Sequence, residues 1–340
     1  MNVAISGRFD EQVFDRLKRD WQIIRLVPQP PKWRLSEEEL IGALVESDVL
    51  VTEGDQVTAG VLASSPRLKA VIVCKGNPVN VDLAAATAEG VMVVNTPGRN
   101  AHAVAELCIS LMVMVARKGW ASMEAVRSGK WANSPRVWAY LTFQGYELAG
   151  RTVGLVGLGA IGRLMAKRLN AFEMRVLAYD PYVSQAVADT LGVQLVSLDE
   201  LLREADFVSM HVHVTDGTRG MIGAREFALM KPTAFFINTG RAGVVVEEAM
   251  IDALHQKRIT GAAFDVYHTE PLPADHPLLG LSNVVATSHI GGATFDVVRR
   301  MSQIAESDLV ALHKGEVPPH LFNSDVLQSP DLRMSVKVVY

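Results

Sequence analysis

Short apolar runs rich in β-branched residues alternate with amphipathic segments over the first 95 residues of the chain. Three of the segments have helical periodicity, at residues 11–20, 36–47 and 81–90, and Ser36 is placed to cap the second. The apolar runs are typical of β-strands, and they lie at residues 2–6, 48–53, 68–74 and 91–95. This alternation predicts a parallel sheet covered by helices on both faces.

The alternation of strands and helices stops at residues 95–100, where Pro97 and Gly98 interrupt the apolar pattern. A long apolar helix is expected at residues 101–117, with Asn100 as its N-cap. Residues 119–149 then hold three tryptophans and no clear period. So much aromatic surface on one arm indicates either a subunit interface or core packing within the chain, and both remain open.

Strand–helix alternation resumes at Arg151 and continues to about residue 288. Six strands are predicted, at residues 152–157, 175–180, 207–212, 234–240, 259–266 and 283–288. Six strands with helices between them make a complete doubly wound sheet. The helix expected at residues 294–314 follows this finished sheet, so it should return to the first domain. The pattern therefore predicts an α/β protein with a discontinuous domain, 1–98 with 296–340, around a second domain at 99–295.

Composition and charge narrow the class of protein. Apolar residues make up 49% of the chain and charged residues 21%, as in a soluble globular protein, and a net charge of −4 favours neither nucleic acid nor an anionic membrane. Cys74 and Cys108 lie in apolar runs and are expected to be buried thiols without a disulfide or metal. Neither a secretory signal nor a membrane span is predicted, so a cytoplasmic protein is expected.

The segment 153–162 reads VGLVGLGAIG, in which Gly157, Gly159 and Gly162 form a G-x-G-x-x-G loop between a strand and a helix. Such a loop brings backbone amides and a helix N-terminus to the phosphates of a dinucleotide. The next strand ends at Asp180, whose carboxylate would accept hydrogen bonds from the adenosine ribose and repel a 2′-phosphate. The cofactor indicated is therefore NAD, in preference to NADP.

Three residues at the ends of later strands suit hydride transfer to a 2-keto acid. Arg241 has the planar fork that binds a carboxylate and an adjacent keto oxygen, and His289 can exchange a proton near neutral pH. Glu270 beside that imidazole would favour its protonated form. Each residue alone is more often a surface ion pair, a structural hydrogen bonder or a turn carboxylate. Their joint occurrence after a dinucleotide loop favours a catalytic set.

Four motifs match one family, namely VGLVGLGAIG with Asp180, INTGRAGVVVEEAM, GAAFDVYHTEPLP with DHPLL, and TSHIGGAT. The substrate-side stretch NVDLAAATAEGVMVVNTPGRNAHAVAEL matches the same family. Over residues 70–315 the chain resembles the D-isomer-specific 2-hydroxyacid dehydrogenases, which include phosphoglycerate dehydrogenases and glyoxylate/hydroxypyruvate reductases. The resemblance implies two Rossmann-like domains: an NAD-binding doubly wound parallel sheet and a flavodoxin-like discontinuous substrate domain. It further implies a small 2-hydroxy or 2-keto acid as substrate and a homodimer joined through the cofactor domain.

The resemblance also implies roles for individual residues. Arg241 would bind the substrate, His289 would be the acid/base and also touch the substrate, and Glu270 would be its partner. Asp265 would contact the nicotinamide carboxamide. The substrate carboxylate would be held by the backbone around Lys75, Gly76 and Asn77. The cofactor would be bound by Gly157, Leu158, Gly159, Ala160, Ile161, Gly162, Asp180, His211, Val212, Thr215, Thr239, Gly240, Asp265 and Gly291.

Two departures from the family pattern leave the substrate open. The substrate loop reads Lys75-Gly76-Asn77-Pro78-Val79-Asn80, in which Lys75 is either solvated or in contact with a distal hydroxyl, carboxylate or phosphate. His213 stands where the family usually has proline. Glyoxylate, hydroxypyruvate, 3-phosphoglycerate and four-carbon sugar acids all remain candidates. A phosphite-type hydride-transfer enzyme and an NADH-sensing, corepressor-like binding protein are the alternative functions.

Overall fold

Two parallel β-sheets organise the residues that the computed structural model describes, 1–28 and 32–337. The strands are β1 (Asn2–Ser6), β2 (Gln22–Leu26), β3 (Val49–Thr52), β4 (Ala70–Val73), β5 (Met92–Val94), β6 (Thr152–Val156), β7 (Arg175–Tyr179), β8 (Gln194–Leu195), β9 (Phe207–Met210), β10 (Phe235–Asn238), β11 (Gly261–Phe264) and β12 (Val284–Ala286). The helices are α1 (Glu11–Asp20), α2 (Glu37–Leu44), α3 (Ala59–Ala63), α4 (Leu83–Ala88), α5 (Ala101–Ala116), α6 (Gly119–Arg127), α7 (Arg136–Thr142), α8 (Ala160–Ala171), α9 (Gln185–Thr190), α10 (Leu198–Glu204), α11 (Ala224–Leu229), α12 (Glu247–His255) and α13 (Phe295–His313).

The chain divides into two units. Residues 1–99 and the chain from residue 294 onward form one of them, called the terminal unit below, and residues 100–293 form the other, called the central unit. Residues 29–31 and 338–340, which fall within the predicted discontinuous domain, lie outside the described part of the chain.

The terminal unit contains a five-stranded parallel sheet in the order β2-β1-β3-β4-β5. This is the flavodoxin-like order, and it confirms that part of the fold prediction. Ser36 caps α2 as predicted, because its hydroxyl accepts a hydrogen bond from the N–H of Glu39 at 3.3 Å. The prediction omitted β2, which is a half-exposed edge strand and so lacks the continuous apolar run of a buried strand.

The chain after residue 293 completes the terminal unit. Met301, Leu309 and Leu312 of α13 are buried in one cluster with residues of β1 and β3. Further along, the N–H of Phe322 donates to the carbonyl of Val93 at 2.7 Å. The guanidinium of Arg333 donates to the carbonyl of Ser65 at 2.7 Å. The last described segment is therefore tied to β5 and to the loop before β4.

The central unit contains a seven-stranded parallel sheet in the order β12-β11-β10-β9-β6-β7-β8. Counted from β6, this is the doubly wound dinucleotide-binding order with one added edge strand, β12. All six predicted strands are present. The seventh, β8, was missed because two residues at a sheet edge produce no readable pattern.

The predicted helix after residue 100 is α5, and Asn100 occupies its N-cap position as predicted, but without the capping hydrogen bond. Asn100 precedes the helix with φ −107° and ψ 6°, and its side chain makes no capping hydrogen bond. A capping side chain reaches the first turn from extended backbone, which this ψ does not provide. Cys108 and Met112 of α5 are fully buried against the sheet. A mostly apolar helix is thus stable without a cap because packing holds it in place.

The tryptophan-rich segment 119–149 forms α6 and α7, two short helices that the sequence pattern did not reveal. Trp120 is 57% exposed and Trp131 is 47% exposed. Trp138 is half-buried and packs edge-on against Phe143, with ring centroids 5.4 Å apart. A groove of about 600 Å³ lies between these helices and the segment around Leu278. Packing within the chain therefore accounts for one of the three indoles.

Both cysteines are buried free thiols, as predicted. Within residues 1–28 and 32–337, none of the helices combines the length and the apolar character needed to cross a membrane. The same ranges contain no group of three or more side chains arranged to hold a metal ion.

Candidate active site

The predicted site residues of the central unit all follow the carboxyl ends of its strands. The glycine loop follows β6, Asp180 follows β7, His211 follows β9, and the candidates for catalysis follow β10, β11 and β12. Parallel strands deliver these loops to the same edge of the sheet, where open α/β sheets bind their ligands.

The glycine loop has the backbone that a dinucleotide needs. Gly157 has φ +103°, and a Cβ there would lie 2.9 Å from Cγ1 of Val212, so only glycine is accommodated. Helix α8 begins after Gly159, and no side chain caps it. The first amides of α8, from Ala160, Ile161 and Gly162, donate to no acceptor within the described residues. These free N–H groups fit the pyrophosphate of a bound dinucleotide.

Asp180 is held against the glycine loop. Its Oδ2 accepts a hydrogen bond from the N–H of Leu158 at 2.8 Å, and its Oδ1 accepts one from the N–H of Tyr182 at 2.9 Å. A carboxylate oxygen has a second lone pair, so each oxygen can still accept a ribose hydroxyl. The Leu158 amide, in contrast, is already used by Asp180.

His211 lies beside this loop as a buried, neutral imidazole. Although the residue as a whole is partly exposed, both ring nitrogens are buried and have no hydrogen-bond partner among residues 1–28 and 32–337. Burial lowers the pKa of His211 to about 4. Unpaired buried nitrogens next to a nucleotide loop fit a hydrogen bond to a ligand or an ordered water. Val212 packs beneath Gly157, and the N–H of Thr215 donates to the hydroxyl of Thr218 at 2.8 Å.

A tight turn after β10 carries Arg241. The side chain of Asn238 joins both ends of this turn: its Oδ1 accepts from the N–H of Gly240 and its Nδ2 donates to the carbonyl of Arg241, both at 3.0 Å. Thr239 is buried beside the thiol of Cys108. The exposed guanidinium of Arg241 donates to the carbonyl of Gly240 at 2.7 Å. Its other donors have no acceptor within the described ranges, which suits a residue that binds a carboxylate.

Asp265 anchors the turn after β12. Its buried carboxylate accepts hydrogen bonds from the hydroxyl of Thr287 at 2.6 Å and from the amides of Ile290 and Gly291, both at 2.8 Å. His289 lies between these donors and has a positive φ of 56°. The sequence prediction gave Asp265 a contact with the nicotinamide. That contact stays a prediction, while the contacts of Asp265 within the protein hold the strained turn that presents His289.

Glu270 and His289 form a close pair. Nδ1 of His289 lies 2.6 Å from Oε2 of Glu270, and both side chains are partly exposed. At this distance the ring N–H donates to the carboxylate, which fixes the orientation of the ring. Of the three candidates for catalysis, the structure joins these two. No hydrogen bond or ion pair links Arg241 to either of them in the described part of the chain.

Sequence reasoning missed the role of Tyr267 in this pair. Its N–H donates to Oε1 of Glu270 at 3.0 Å, and its hydroxyl donates to the carbonyl of Thr287 at 2.7 Å. One residue therefore connects the loop of Glu270 to the turn of His289. Burial above all raises the pKa of Tyr267 to about 12, so its hydroxyl stays a donor. The sequence did contain one signal for this role, since Tyr267 lies in DVYHTE, three residues before Glu270.

Lys75, Gly76 and Asn77 follow β4 in the terminal unit. The carbonyl of Lys75 accepts from the N–H of Thr96 at 2.9 Å, and the carbonyl of Gly76 accepts from the side chain of Asn95 at 2.7 Å. The N–H groups of Gly76 and Asn77 donate to no described acceptor, and both residues are exposed. The loop is thus held through its carbonyls while two amides remain available to a ligand.

Comparison with known proteins agrees with this geometry. A family model described as "D-isomer specific 2-hydroxyacid dehydrogenase, NAD binding domain" matches residues 109–291, more than half of the chain. The glyoxylate reductase of Thermococcus litoralis is 40% identical over 301 residues, covering 88% of this chain and 89% of that protein. The D-3-phosphoglycerate dehydrogenase of Mycobacterium tuberculosis is 42% identical over 288 residues, covering 84% of this chain and 53% of that longer protein.

A solved structure shares the whole architecture. The TT0316 protein of Thermus thermophilus superposes with a TM-score of 0.83 at 33% identity, covering 94% of this chain and 99% of that one. The predicted NAD cofactor is confirmed by the NAD binding domain that the family model describes. The resemblance inferred from the four sequence motifs is confirmed as well, and the chain belongs to the D-isomer specific 2-hydroxyacid dehydrogenase family.

Proposed function

We propose that the protein is an NAD-dependent D-2-hydroxyacid dehydrogenase that reduces the C2 carbonyl of a small 2-keto acid or oxidises the matching alcohol. The observation that carries this proposal is the Glu270–His289 pair, 2.6 Å apart at the carboxyl edge of the central sheet. A carboxylate that stabilises an imidazolium provides the acid needed to protonate a developing alkoxide. The same edge carries the glycine loop and Asp180.

When bound, the nicotinamide cofactor supplies or accepts the hydride. Arg241 binds the substrate carboxylate and polarises the keto oxygen through its free guanidinium donors. His289 gives a proton to that oxygen in reduction and takes one from the hydroxyl in oxidation. Glu270 holds the ring by Nδ1, which leaves Nε2 for the substrate. Asp265 and Tyr267 position this imidazole through the turn on which it sits.

The two units have separate roles in this proposal, with the domain bounds that the sequence predicts. Residues 99–295 bind NAD, and residues 1–98 with 296–340 form the substrate domain. In the substrate domain, the free amides of Gly76 and Asn77 are suited to the C1 carboxylate of the substrate. In the NAD-binding domain, Asp180 favours NADH over NADPH, because the 2′-phosphate of NADPH would approach a carboxylate that is fixed in place.

The proposal is tested by following NADH oxidation at neutral pH with a series of 2-keto acids. We expect turnover, and we expect His289→Ala to lower kcat/KM by about a hundredfold or more, since general acid catalysis contributes that much. Arg241→Lys should lower kcat/KM comparably, because an ammonium cannot reproduce the bidentate fork. The control is His255→Gln, at the exposed C-terminal end of α12, which should behave as wild type.

Three outcomes would overturn the proposal. The first is undiminished turnover by His289→Ala, which would show that His289 is not the acid/base. The second is oxidation of phosphite with no turnover of any 2-keto acid. The third is tight NADH binding without turnover of either class, as expected for a nucleotide-sensing binding protein.

We also propose that the protein is a homodimer joined through the central unit. The exposed indoles of Trp120 and Trp131 support this proposal, since aromatic residues are enriched in the buried cores of protein interfaces.

A further inference from the structure

Charged residues follow four neighbouring strands of the terminal sheet at their carboxyl ends. Arg8 follows β1, Glu53 follows β3, Lys75 follows β4 and Arg99 follows β5. In the order β2-β1-β3-β4-β5, the chain reverses its direction of travel between β1 and β3. Open α/β sheets bind ligands in the crevice at such a switch point. The switch point of the terminal unit is therefore a candidate ligand position, and charged side chains surround it.

Arg8 and Arg99 share a single carboxylate. Nη2 of Arg8 lies 2.5 Å from Oε1 of Glu53, and its Nε donates to Oε2 at 3.0 Å. Nη2 of Arg99 lies 3.9 Å from the same Oε1. The side chain of Arg99 is only 13% exposed and that of Glu53 only 17%. One carboxylate thus faces two guanidinium groups in a largely desolvated position.

The second carboxylate of this region is committed to the protein. Asp55 is buried, and it accepts hydrogen bonds from the N–H of Leu35 and the hydroxyl of Thr52, both at 2.8 Å, and from the hydroxyl of Ser6. It therefore fixes the loop after β3 and has little capacity left for a side-chain cation. Four cations, Arg8, Arg34, Lys75 and Arg99, stand against Glu53 and Asp55, so two positive charges have no counterpart in this cluster.

Lys75 is the member of this cluster that most lacks a partner. Its ammonium makes no ion pair or hydrogen bond within residues 1–28 and 32–337. The pKa of Lys75 is lowered, first by burial and then by the positive charges of Arg99 and Arg34. A half-buried cation without an acceptor is destabilised until an anion binds it.

The proposed function assigns other partners to the C1 carboxylate of the substrate. In the proposed function it is bound by Arg241 of the central unit and by backbone amides after β4. We infer that the substrate carries a second anionic group, a carboxylate or a phosphate, at the end of the chain distal to C2, and that Lys75 with Arg8, Arg34 and Arg99 binds it. This inference rests on the proposed function and names the substrate class of the same site.

The test compares 2-keto acids that differ in the distal charge and little else, with NADH saturating. One pair is 3-phosphohydroxypyruvate and hydroxypyruvate, and the other is oxaloacetate and 2-oxobutanoate. We expect kcat/KM to be about tenfold or more higher for the anionic member of at least one pair, as charge-assisted hydrogen bonds provide. Preference within the first pair alone identifies a phosphate, and preference within the second alone identifies a carboxylate.

Variants then assign the preference to the cluster. Lys75→Gln should lower the ratio of kcat/KM within the favoured pair by about tenfold. Lys69→Gln is the matched control, since Lys69 lies at the opposite end of β4 and pairs with Asp48 at 3.0 Å, and it should leave the ratio unchanged. Should Lys75→Gln not fold, Arg8→Gln supplies the same test at a side chain that is 54% exposed.

The two hypotheses fail differently. Equal kcat/KM within both pairs, or a ratio that survives Lys75→Gln and Arg8→Gln, overturns the inference and leaves the dehydrogenase proposal intact. Absence of turnover with all four keto acids overturns the proposed function itself. Competitive inhibition of wild-type enzyme by inorganic phosphate, weakened by Lys75→Gln but not by Lys69→Gln, is further support.

Discussion

The amide of Gly291 and the carboxylate of Asp265 lie 2.8 Å apart, and this hydrogen bond closes the turn that carries His289. A Cβ on Gly291 would lie 2.9 Å from Oδ2 of Asp265 and 3.3 Å from Val104. Asp265 cannot move aside cheaply, because it holds two other donors of the same turn. Gly291→Ala should therefore displace His289 and lower kcat about tenfold to a hundredfold, as misplacement by about 1 Å does.

The neighbouring glycine supplies the control for this experiment. A Cβ on Gly292 would meet only the side chain of Asn100, at 3.6 Å, which is ordinary contact. Gly292→Ala should keep most of the wild-type kcat, and both variants should unfold at similar temperatures. Equal loss of activity in the two variants would mean that the turn is sensitive to any substitution and that the Asp265 contact is not the cause.

Cofactor preference should depend on Asp180. Asp180→Ser removes the charge that opposes a 2′-phosphate, so the ratio of kcat/KM for NADH to that for NADPH should fall about tenfold or more. Steady-state kinetics with each cofactor measures this ratio. Asp189→Ser, an exposed acid in α9, is the matched control and should leave the ratio unchanged. Loss of activity with both cofactors in equal measure would contradict a role in discrimination.

Acid should destabilise the protein through His211. Its pKa is about 6.5 when unfolded and about 4 when folded, so the unfolded state binds the proton first as the pH falls. Stability present above pH 6.5 is lost as the pH drops toward 4, by about 2 kcal/mol between pH 7 and pH 5. Urea unfolding at the two pH values measures the loss.

His211→Gln should remove this part of the pH dependence, since the amide does not titrate in this range. His255→Gln, which replaces an exposed imidazole, should keep the wild-type dependence. If the two variants show the same difference between pH 7 and pH 5, His211 does not stay neutral in the folded state.

Assembly should depend on the exposed indoles of the central unit. Trp120→Glu with Trp131→Glu places charge on the proposed interface, and light scattering after gel filtration should shift from the dimer mass toward the monomer mass. Phe172→Glu is the control, because Phe172 is also exposed, at 44%, but lies at the end of α8. A monomeric wild-type protein, or a dimer unchanged by both substitutions, would contradict the proposed interface.

Much of the fold could be predicted because buried parallel strands leave continuous apolar runs, as in β4 and β10. The exceptions are elements that tertiary contacts stabilise. Strand β2 is half-exposed, and β8 has two residues. Asn100 has the right residue type and position for a cap, but its side chain makes no capping hydrogen bond, and residue type alone does not specify the backbone angles that such a bond requires.

Some features of the candidate site could likewise be predicted from the sequence, and others could not. Glu270 and His289 were recognisable as a pair because each follows a strand of one sheet, and strand order brings the two loops together. The contacts of Asp265 with the His289 turn depend on side-chain geometry, which spacing along the chain does not specify. The cation cluster was harder still, since Arg8, Lys75 and Arg99 are far apart in sequence and meet only through the order of the strands.

The return of the chain to the terminal unit sets an order of events on the ribosome. The sheet of residues 1–99 lacks the apolar face of α13 until translation has passed the 194 residues, 100–293, that lie between the two parts of the unit. At about 5 to 20 residues per second, that interval is roughly 10 to 40 s. The central unit, whose segments are contiguous, is complete before then. Residues 1–99 are thus translated before the central unit, but their core is completed only after it.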